Sequence, residues 1–182
     1  NYDTLTKLPN RGMFQGGLLR AMQNAKRNNE QLGLLFIDLD KFKRINDSLG
    51  HQQGDLLLER MGKRLKQTIR SMGLVARLGG DEFALLLRNI KHPQQLDIIG
   101  EKIQALVSKP IELHDSSVIV HCSIGISLAN LHDSANDLIK HAEIAMYRAK
   151  SNGGNSYQRF NPNMATEAKD ALSLERDIRR GL

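Results

Sequence analysis

The segment at residues 32–39 constrains the fold of this chain more than any other, because it is apolar at nearly every position. A strand that faces water on one side alternates apolar and polar residues, whereas a strand covered on both faces is apolar almost throughout. The run therefore predicts a buried strand. It ends in two carboxylates, Asp38 and Asp40, so acidic groups lie at the C-terminal end of that strand.

The remaining segments predict the elements that surround this strand. Apolar residues at helical spacing predict helices over residues 11–28, 41–48, 53–71, 93–107 and 134–151, the fourth opened by Pro93 and the last capped by Ser134. Extended patterns predict strands at 74–78, 83–87, 111–113, 118–129 and 156–160. Gly79, Gly80, Asp81 and Glu82 are typical of a hairpin turn. The pattern predicts an α/β fold, an α+β sandwich, with a mixed central β-sheet flanked by helices.

Composition and charge exclude several classes of protein. No apolar run approaches the roughly 20 residues needed to cross a bilayer, and no secretory signal opens the chain. These two observations predict a cytoplasmic domain. They leave open whether a longer parent protein is attached to a membrane. A net charge of +6 favours anionic partners. Aromatic residues make up only 4% and tryptophan is absent, so no nucleic-acid partner is predicted. The single cysteine, Cys122, excludes a disulfide framework and is predicted to be a buried thiol.

Two acidic pairs could form one site. Asp38 and Asp40 are two residues apart, and side chains at that spacing on a strand point the same way. Asp81 and Glu82 lie on the predicted turn. Together the pairs offer carboxylate oxygens that suit Mg²⁺, which takes one or two carboxylates and fills its other positions with water and phosphate. Alternatively, the first pair is a helix cap or solvated loop, and the second is only good hairpin chemistry.

The residues after the first pair favour a nucleotide. Lys41, Lys43 and Arg44 follow at once, at a helix start whose backbone amides suit phosphate. Asn46 and Asp55 could bind a purine edge, because an amide offers a donor and an acceptor while a carboxylate accepts two donors, as guanine requires. The basic residues within 60–70 are interpreted as a solvated helix face, with a docking or phosphate surface as the alternative.

An ordered series of motifs over residues 1–160 resembles the GGDEF domain, the diguanylate cyclase family. The matching text is Asp3-x-Leu-Thr-x-Leu-x-Asn-Arg11, Phe36-Ile-Asp-Leu-Asp-Lys-Phe-Lys43, Asn46-Asp47, Gly50-His51, Gly54-Asp55, Arg77-Leu-Gly-Gly-Asp-Glu-Phe83, Ser123-Ile-Gly-Ile126 and Ala145-Met-Tyr-x-Ala-Lys150. The resemblance implies a nucleotidyl-cyclase-like fold. It also implies a reaction in which two GTP become cyclic di-(3′,5′)-GMP and two pyrophosphates, carried out by a homodimer of such domains.

The resemblance also implies a role for each matching residue. The metal, Mg²⁺ with Mn²⁺ as an alternative, would be held by Asp38, Asp81 and the Leu39 carbonyl. Glu82 would be the base for the 3′-hydroxyl, while Asp40 is kept as a supporting carboxylate. Guanine and phosphate contacts would come from Asn46, His51, Asp55, Lys41, Phe42, Lys43, Gly79, Gly80 and Lys150.

The sequence departs from the family pattern at two positions. Many members carry Arg-x-x-Asp before the two glycines, whereas this chain has Arg70-Ser-Met-Gly73, so product feedback is not predicted. The usual Arg four residues beyond Lys150 is Gly154, which predicts one phosphate contact fewer.

The tail predicts that the domain is joined to another. Residues 160–164 and 172–182 are similar to the joint between a GGDEF and an EAL phosphodiesterase domain. We therefore predict a GGDEF domain over 1–160 and a helical linker over 161–182, from a longer protein with a downstream EAL domain. The alternative function is a non-catalytic GTP-binding module that regulates such an EAL domain.

Overall fold

The computed structural model describes residues 1–166, which form five helices and seven strands. In chain order they are α1 Arg11–Asn28, β1 Gln31–Leu39, α2 Phe42–Leu49, α3 His51–Ile69, β2 Gly73–Gly79, β3 Glu82–Ile90, α4 Gln94–Val107, β4 Ile111–Glu112, β5 Ser117–Val118, β6 Cys122–Leu128, α5 Ala135–Ser151 and β7 Ser156–Arg159.

The main sheet has the strand order β2-β3-β1-β6-β7, so the apolar strand β1 lies in the middle. β1 is antiparallel to both neighbours, whereas β6 and β7 are parallel, so the sheet is mixed. The predicted fold class is confirmed. β4 and β5 form a separate two-stranded sheet.

Alternate residues of β1 pack against opposite helical layers. Leu34 and Phe36 lie in a core with α1 and α5, and Leu35 and Ile37 lie in a second core with α3 and α4. Since consecutive strand residues point to opposite faces, Asp38 points toward the α1 and α5 side. Covering both faces explains why β1 is apolar almost throughout.

Several predicted boundaries need correction. The strand predicted over 118–129 is two strands, because β5 pairs with β4 while β6 pairs with β1 and β7. The second long helix begins at His51 and not at 53, and Pro93 is the N-cap of α4 and not its first residue. The basic segment 60–70 is not solvated throughout, because Arg64 donates hydrogen bonds to the carbonyl oxygens of Leu106 in the last turn of α4 and of Lys109 and Pro110 after it.

The chain leaves the sheet at the end opposite to Asp38. β7 runs parallel to β6, and Phe160 after it stacks on the ring of His141 with 4.0 Å between the ring centroids. A helical turn follows at residues 162–166, with Met164 buried. Most of the predicted linker lies outside the described residues, so that boundary stays a prediction. No helix within residues 1–166 is long and apolar enough to span a membrane.

Candidate active site

The candidate active site lies where β1 ends beside the β2–β3 turn. The β1–β3 register places Asp38 opposite Glu82, and the Leu39 amide donates a hydrogen bond to the Asp81 carbonyl at 3.2 Å. The two acidic pairs, which are about 40 residues apart in sequence, are therefore brought together by antiparallel pairing. Both Asp81 and Glu82 are half-buried.

Asp38 is a charged residue that the fold buries. Asp38 is only 4% exposed, and its Oδ2 accepts a hydrogen bond from the Lys150 ammonium at the end of α5. Its other oxygen, Oδ1, is buried without a hydrogen-bond partner. Burial raises the pKa of Asp38 to about 6, the Lys150 hydrogen bond opposes that rise, and the neighbouring Asp81 adds to it. A buried acceptor without a donor is costly, and it suits a cation.

The hairpin turn is held by Arg77, for which no role was predicted from the sequence. Gly79 and Gly80 have φ values of 135° and 50°, which favour glycine. Arg77 donates two hydrogen bonds to the Gly80 carbonyl, at 3.1 and 2.7 Å, and one to Asp3 at 2.8 Å. Asp3 in turn accepts from the amide and hydroxyl of Thr6. The position of the turn therefore depends on the N-terminal segment.

The strand spacing predicted that Asp40 would face the same site as Asp38, but its carboxylate is bound elsewhere. It lies beyond the end of β1, so the alternation of side chains along a strand no longer applies. Its carboxylate accepts hydrogen bonds from the Ser123 hydroxyl and the Asn155 amide, both at 2.7 Å. Asp40 thus ties the start of β6 to the turn that follows α5.

The predicted nucleotide residues surround the junction of α2 and α3. Lys41 is the N-cap of α2 with a left-handed backbone, and Lys41 and Lys43 are exposed while Phe42 is buried. On α3, His51 and Asp55 are exposed. The remaining residue, Asn46, is partly buried against Gly54, where a Cβ would overlap its side-chain oxygen.

The two departures from the family pattern both have a structural counterpart. Gly154 has a φ of 75°, and a Cβ there would lie 2.8 Å from the Asp40 carboxylate. At Gly73 a Cβ would overlap the Leu86 carbonyl oxygen on the paired strand. Each position is therefore closed to a side chain by its present neighbours.

Two charged residues beside Glu82 were missed as site residues. Arg11 Nη2 at the start of α1 lies 3.9 Å from Glu82 Oε2. Glu143 on α5 faces the same pair: burial raises its pKa, Arg11 opposes that rise and Glu82 adds to it. Arg11 belongs to a motif quoted above, whereas no local signal distinguishes Glu143.

Comparison with known proteins agrees with this geometry. The family model described as "Diguanylate cyclase, GGDEF domain" matches residues 1–156.

The chain belongs to the GGDEF family.

Among GGDEF relatives, the diguanylate cyclase TpbB of Pseudomonas aeruginosa is 45% identical over 152 residues, which is 82% of this chain and 35% of TpbB. The bifunctional diguanylate cyclase/cyclic di-GMP phosphodiesterase MucR of the same species is 38% identical over 182 residues, all of this chain and 26% of MucR. A solved structure comprising only the TpbB GGDEF domain is 42% identical with a TM-score of 0.88, covering 93% of this chain and 99% of that one. The chain thus spans about a quarter to a third of these curated relatives.

The described residues contain no group of three or more His, Cys, Asp and Glu side chains that could hold a metal ion. A site for Mg²⁺ does not require one, because this ion is bound by one or two carboxylates together with waters and substrate phosphates.

Proposed function

We propose that this GGDEF domain condenses two GTP into cyclic di-(3′,5′)-GMP and two pyrophosphates. The observation that carries the proposal is the convergence of Asp38 and Asp81 at one end of the sheet, with a buried Asp38 oxygen that has no hydrogen-bond partner. In the reaction, a ribose 3′-oxygen forms a bond to the α-phosphorus of the other GTP, pyrophosphate leaves, and the hydroxyl proton is removed. One domain carries one GTP, so two domains must face each other.

The acidic residues present fit a divalent cation, Mg²⁺ or Mn²⁺. Asp38 and Asp81, with the Leu39 carbonyl, would hold it, and the orphaned Oδ1 of Asp38 is the atom whose burial a bound cation would offset. When bound, the metal neutralises charge on the attacking and leaving oxygens. We keep Glu82 as the base for the 3′-hydroxyl because it adjoins Asp81 and remains half-buried.

The chain's other residues would bind and orient GTP. Asn46 and Asp55, with His51 nearby, would bind guanine, while Lys43, Lys150 and the backbone amides of residues 41–43 would bind phosphate. Phe42 would anchor that loop through its buried ring, and Gly79 and Gly80 would allow close approach of the substrate. The intact set of acidic residues favours a catalyst over a purely regulatory GTP-binding module.

The test of the proposed function is product formation by the purified domain. Incubation with GTP and Mg²⁺, followed by chromatography, should yield cyclic di-GMP, and Asp81→Ala should yield none. A wild-type domain shown to be dimeric that yields no product at high protein concentration would contradict the proposal. A downstream EAL domain stays a separate proposal, supported by the match of this whole chain to 26% of MucR, a bifunctional diguanylate cyclase/cyclic di-GMP phosphodiesterase.

Gly54→Ala is expected to raise the KM for GTP about tenfold while kcat changes little, because the added methyl group displaces the Asn46 amide from the guanine site. Steady-state kinetics would measure this. Asn46→Ala is the matched variant and should have a similar effect, and combining the two should add little, since both remove one contact. An unchanged KM in Gly54→Ala would show that Asn46 does not bind the base.

Gly73→Asp is expected to destabilise the domain by about 1–3 kcal/mol without creating product feedback, because the side chain would overlap the Leu86 carbonyl. Urea unfolding and initial rates with added cyclic di-GMP would measure both effects. Gly12→Asp is the control, since the nearest atom to its Cβ is 3.7 Å away. Feedback inhibition of a stable Gly73→Asp protein would contradict this prediction.

A further inference from the structure

The Lys150 ammonium lies on the carboxylate that the proposed function assigns to the metal. Its Nζ donates a hydrogen bond to Asp38 Oδ2, and the Asp38 side chain is 6% exposed while that of Lys150 is 40% exposed. The other Asp38 oxygen has no partner. In this arrangement an ammonium already contacts one oxygen of the buried carboxylate, so part of the carboxylate charge is compensated without a metal.

We propose that Lys150 competes with a divalent cation for Asp38, and that the lysine releases this carboxylate when a nucleoside triphosphate is bound. The inference rests on the proposed function for the identity of the ligands. The same lysine has two alternative anionic partners, Asp38 and the nucleotide phosphates. In the absence of nucleotide, its contact with Asp38 weakens metal binding.

The competition follows from charge and space at Asp38. A carboxylate buried in a low-dielectric site interacts strongly with a neighbouring ammonium, and that ammonium repels a dication approaching the same group. Asp81 and Glu82 also act on Lys150, since burial opposes a rise in its pKa while Asp38, Asp81 and Glu82 produce one. Three carboxylates therefore favour the charged form of Lys150, and Asp38 accepts its hydrogen bond.

Lys150 is able to move between the two partners. It lies in the last turn of α5, and its flexible four-carbon stem carries a compact charge that suits either a carboxylate or a phosphate. A bound triphosphate would offer several anionic oxygens next to Lys41 and Lys43. Transfer of the ammonium to phosphate would then leave both oxygens of Asp38 available.

The test compares the affinity of the nucleotide-free protein for Mn²⁺ in two variants, by electron paramagnetic resonance of the free ion. Lys150→Gln is expected to bind Mn²⁺ about tenfold more tightly than wild type. Arg11→Gln is the matched control because it also removes one positive charge from the site. Arg11 Nη2 lies 3.9 Å from Glu82 Oε2, and its replacement leaves the Lys150–Asp38 ion pair in place. Its affinity should change by less than about twofold. Lys150→Met provides a second variant that keeps the apolar stem.

The results separate this inference from the proposed function. Equal or weaker Mn²⁺ binding by Lys150→Gln and Lys150→Met would overturn the competition, as would an equal gain in Arg11→Gln, which would indicate a general charge effect. Binding of Mn²⁺ by none of the proteins would also overturn it. Product formation by wild type tests the proposed function independently, because it can succeed or fail whatever the order of these affinities.

Discussion

Replacing Asp38 by asparagine is expected to reduce synthesis of cyclic di-GMP by about 10³-fold, because electrostatic stabilisation in a buried site depends on the charge as well as on the shape of the group. Asparagine keeps the size and one oxygen but cannot neutralise a metal. Initial rates at saturating GTP and Mg²⁺ would measure the loss. Asp40→Asn is the matched control, since its carboxylate binds Ser123 and Asn155 instead, and it should retain far more activity. Comparable losses in both variants would contradict the assignment of Asp38.

The same substitution is expected to stabilise the metal-free domain at neutral pH. Burial raises the pKa of Asp38 from 3.8 in the unfolded chain to about 6 in the fold, so the folded state binds the proton more tightly. The charged carboxylate therefore destabilises the fold increasingly as the pH rises from about 4 to about 6, and asparagine removes that cost of about 1–3 kcal/mol. Urea unfolding at pH 4 and pH 7.5 measures the difference. Asp38→Asn less stable than wild type at pH 7.5 would contradict this prediction.

Arg77→Met is expected to have the second-largest effect, lowering product formation about 10²-fold, because a shift of about 1 Å in a catalytic group can have that consequence. Arg77 is the donor that holds the Gly80 carbonyl, one residue before Asp81, and it also binds Asp3. Loss of these charged hydrogen bonds in a mostly buried position should also lower the free energy of unfolding by about 2–4 kcal/mol. Rates and urea unfolding would be measured together.

Two variants separate the role of the Arg77 hydrogen bonds from that of its charge. Arg77→Lys keeps the charge but not the planar fork, and it should recover only part of the activity. Arg88→Met removes an exposed arginine from the neighbouring strand β3 and should change neither quantity appreciably. Full activity of Arg77→Met would show that the turn does not need this support.

The sheet and its helices could be predicted because their signals are local. The apolar run of β1, the glycine turn at Gly79 and Gly80, and the Ser134 cap of α5 each act through neighbouring residues. The split between β5 and β6 could not be predicted, because nothing between residues 118 and 129 shows that two different sheets share the segment. Only pairing with distant strands decides that boundary.

The convergence of the two acidic pairs was predictable, whereas the contacts of the individual charged groups were less so. Residue types and order could indicate that Asp38 and Asp81 belong together, and the structure brings them together because β3, which follows the turn, pairs with β1. The contact between Lys150 and Asp38 spans 112 positions in sequence, and it depends on where the end of α5 packs. The separation of Asp40 from the acidic cluster likewise follows from the backbone leaving the strand after Leu39.

The opposite placement of Asp81 and Phe160 along the sheet has an architectural consequence. The polypeptide departs at the pole remote from the acidic turn, where the stacked rings of His141 and Phe160 anchor its path. The described segment after β7 therefore leaves the sheet at the end remote from the candidate active site. Within residues 1–166 this segment does not cover the acidic turn, as the proposed meeting of two GTP-loaded domains requires.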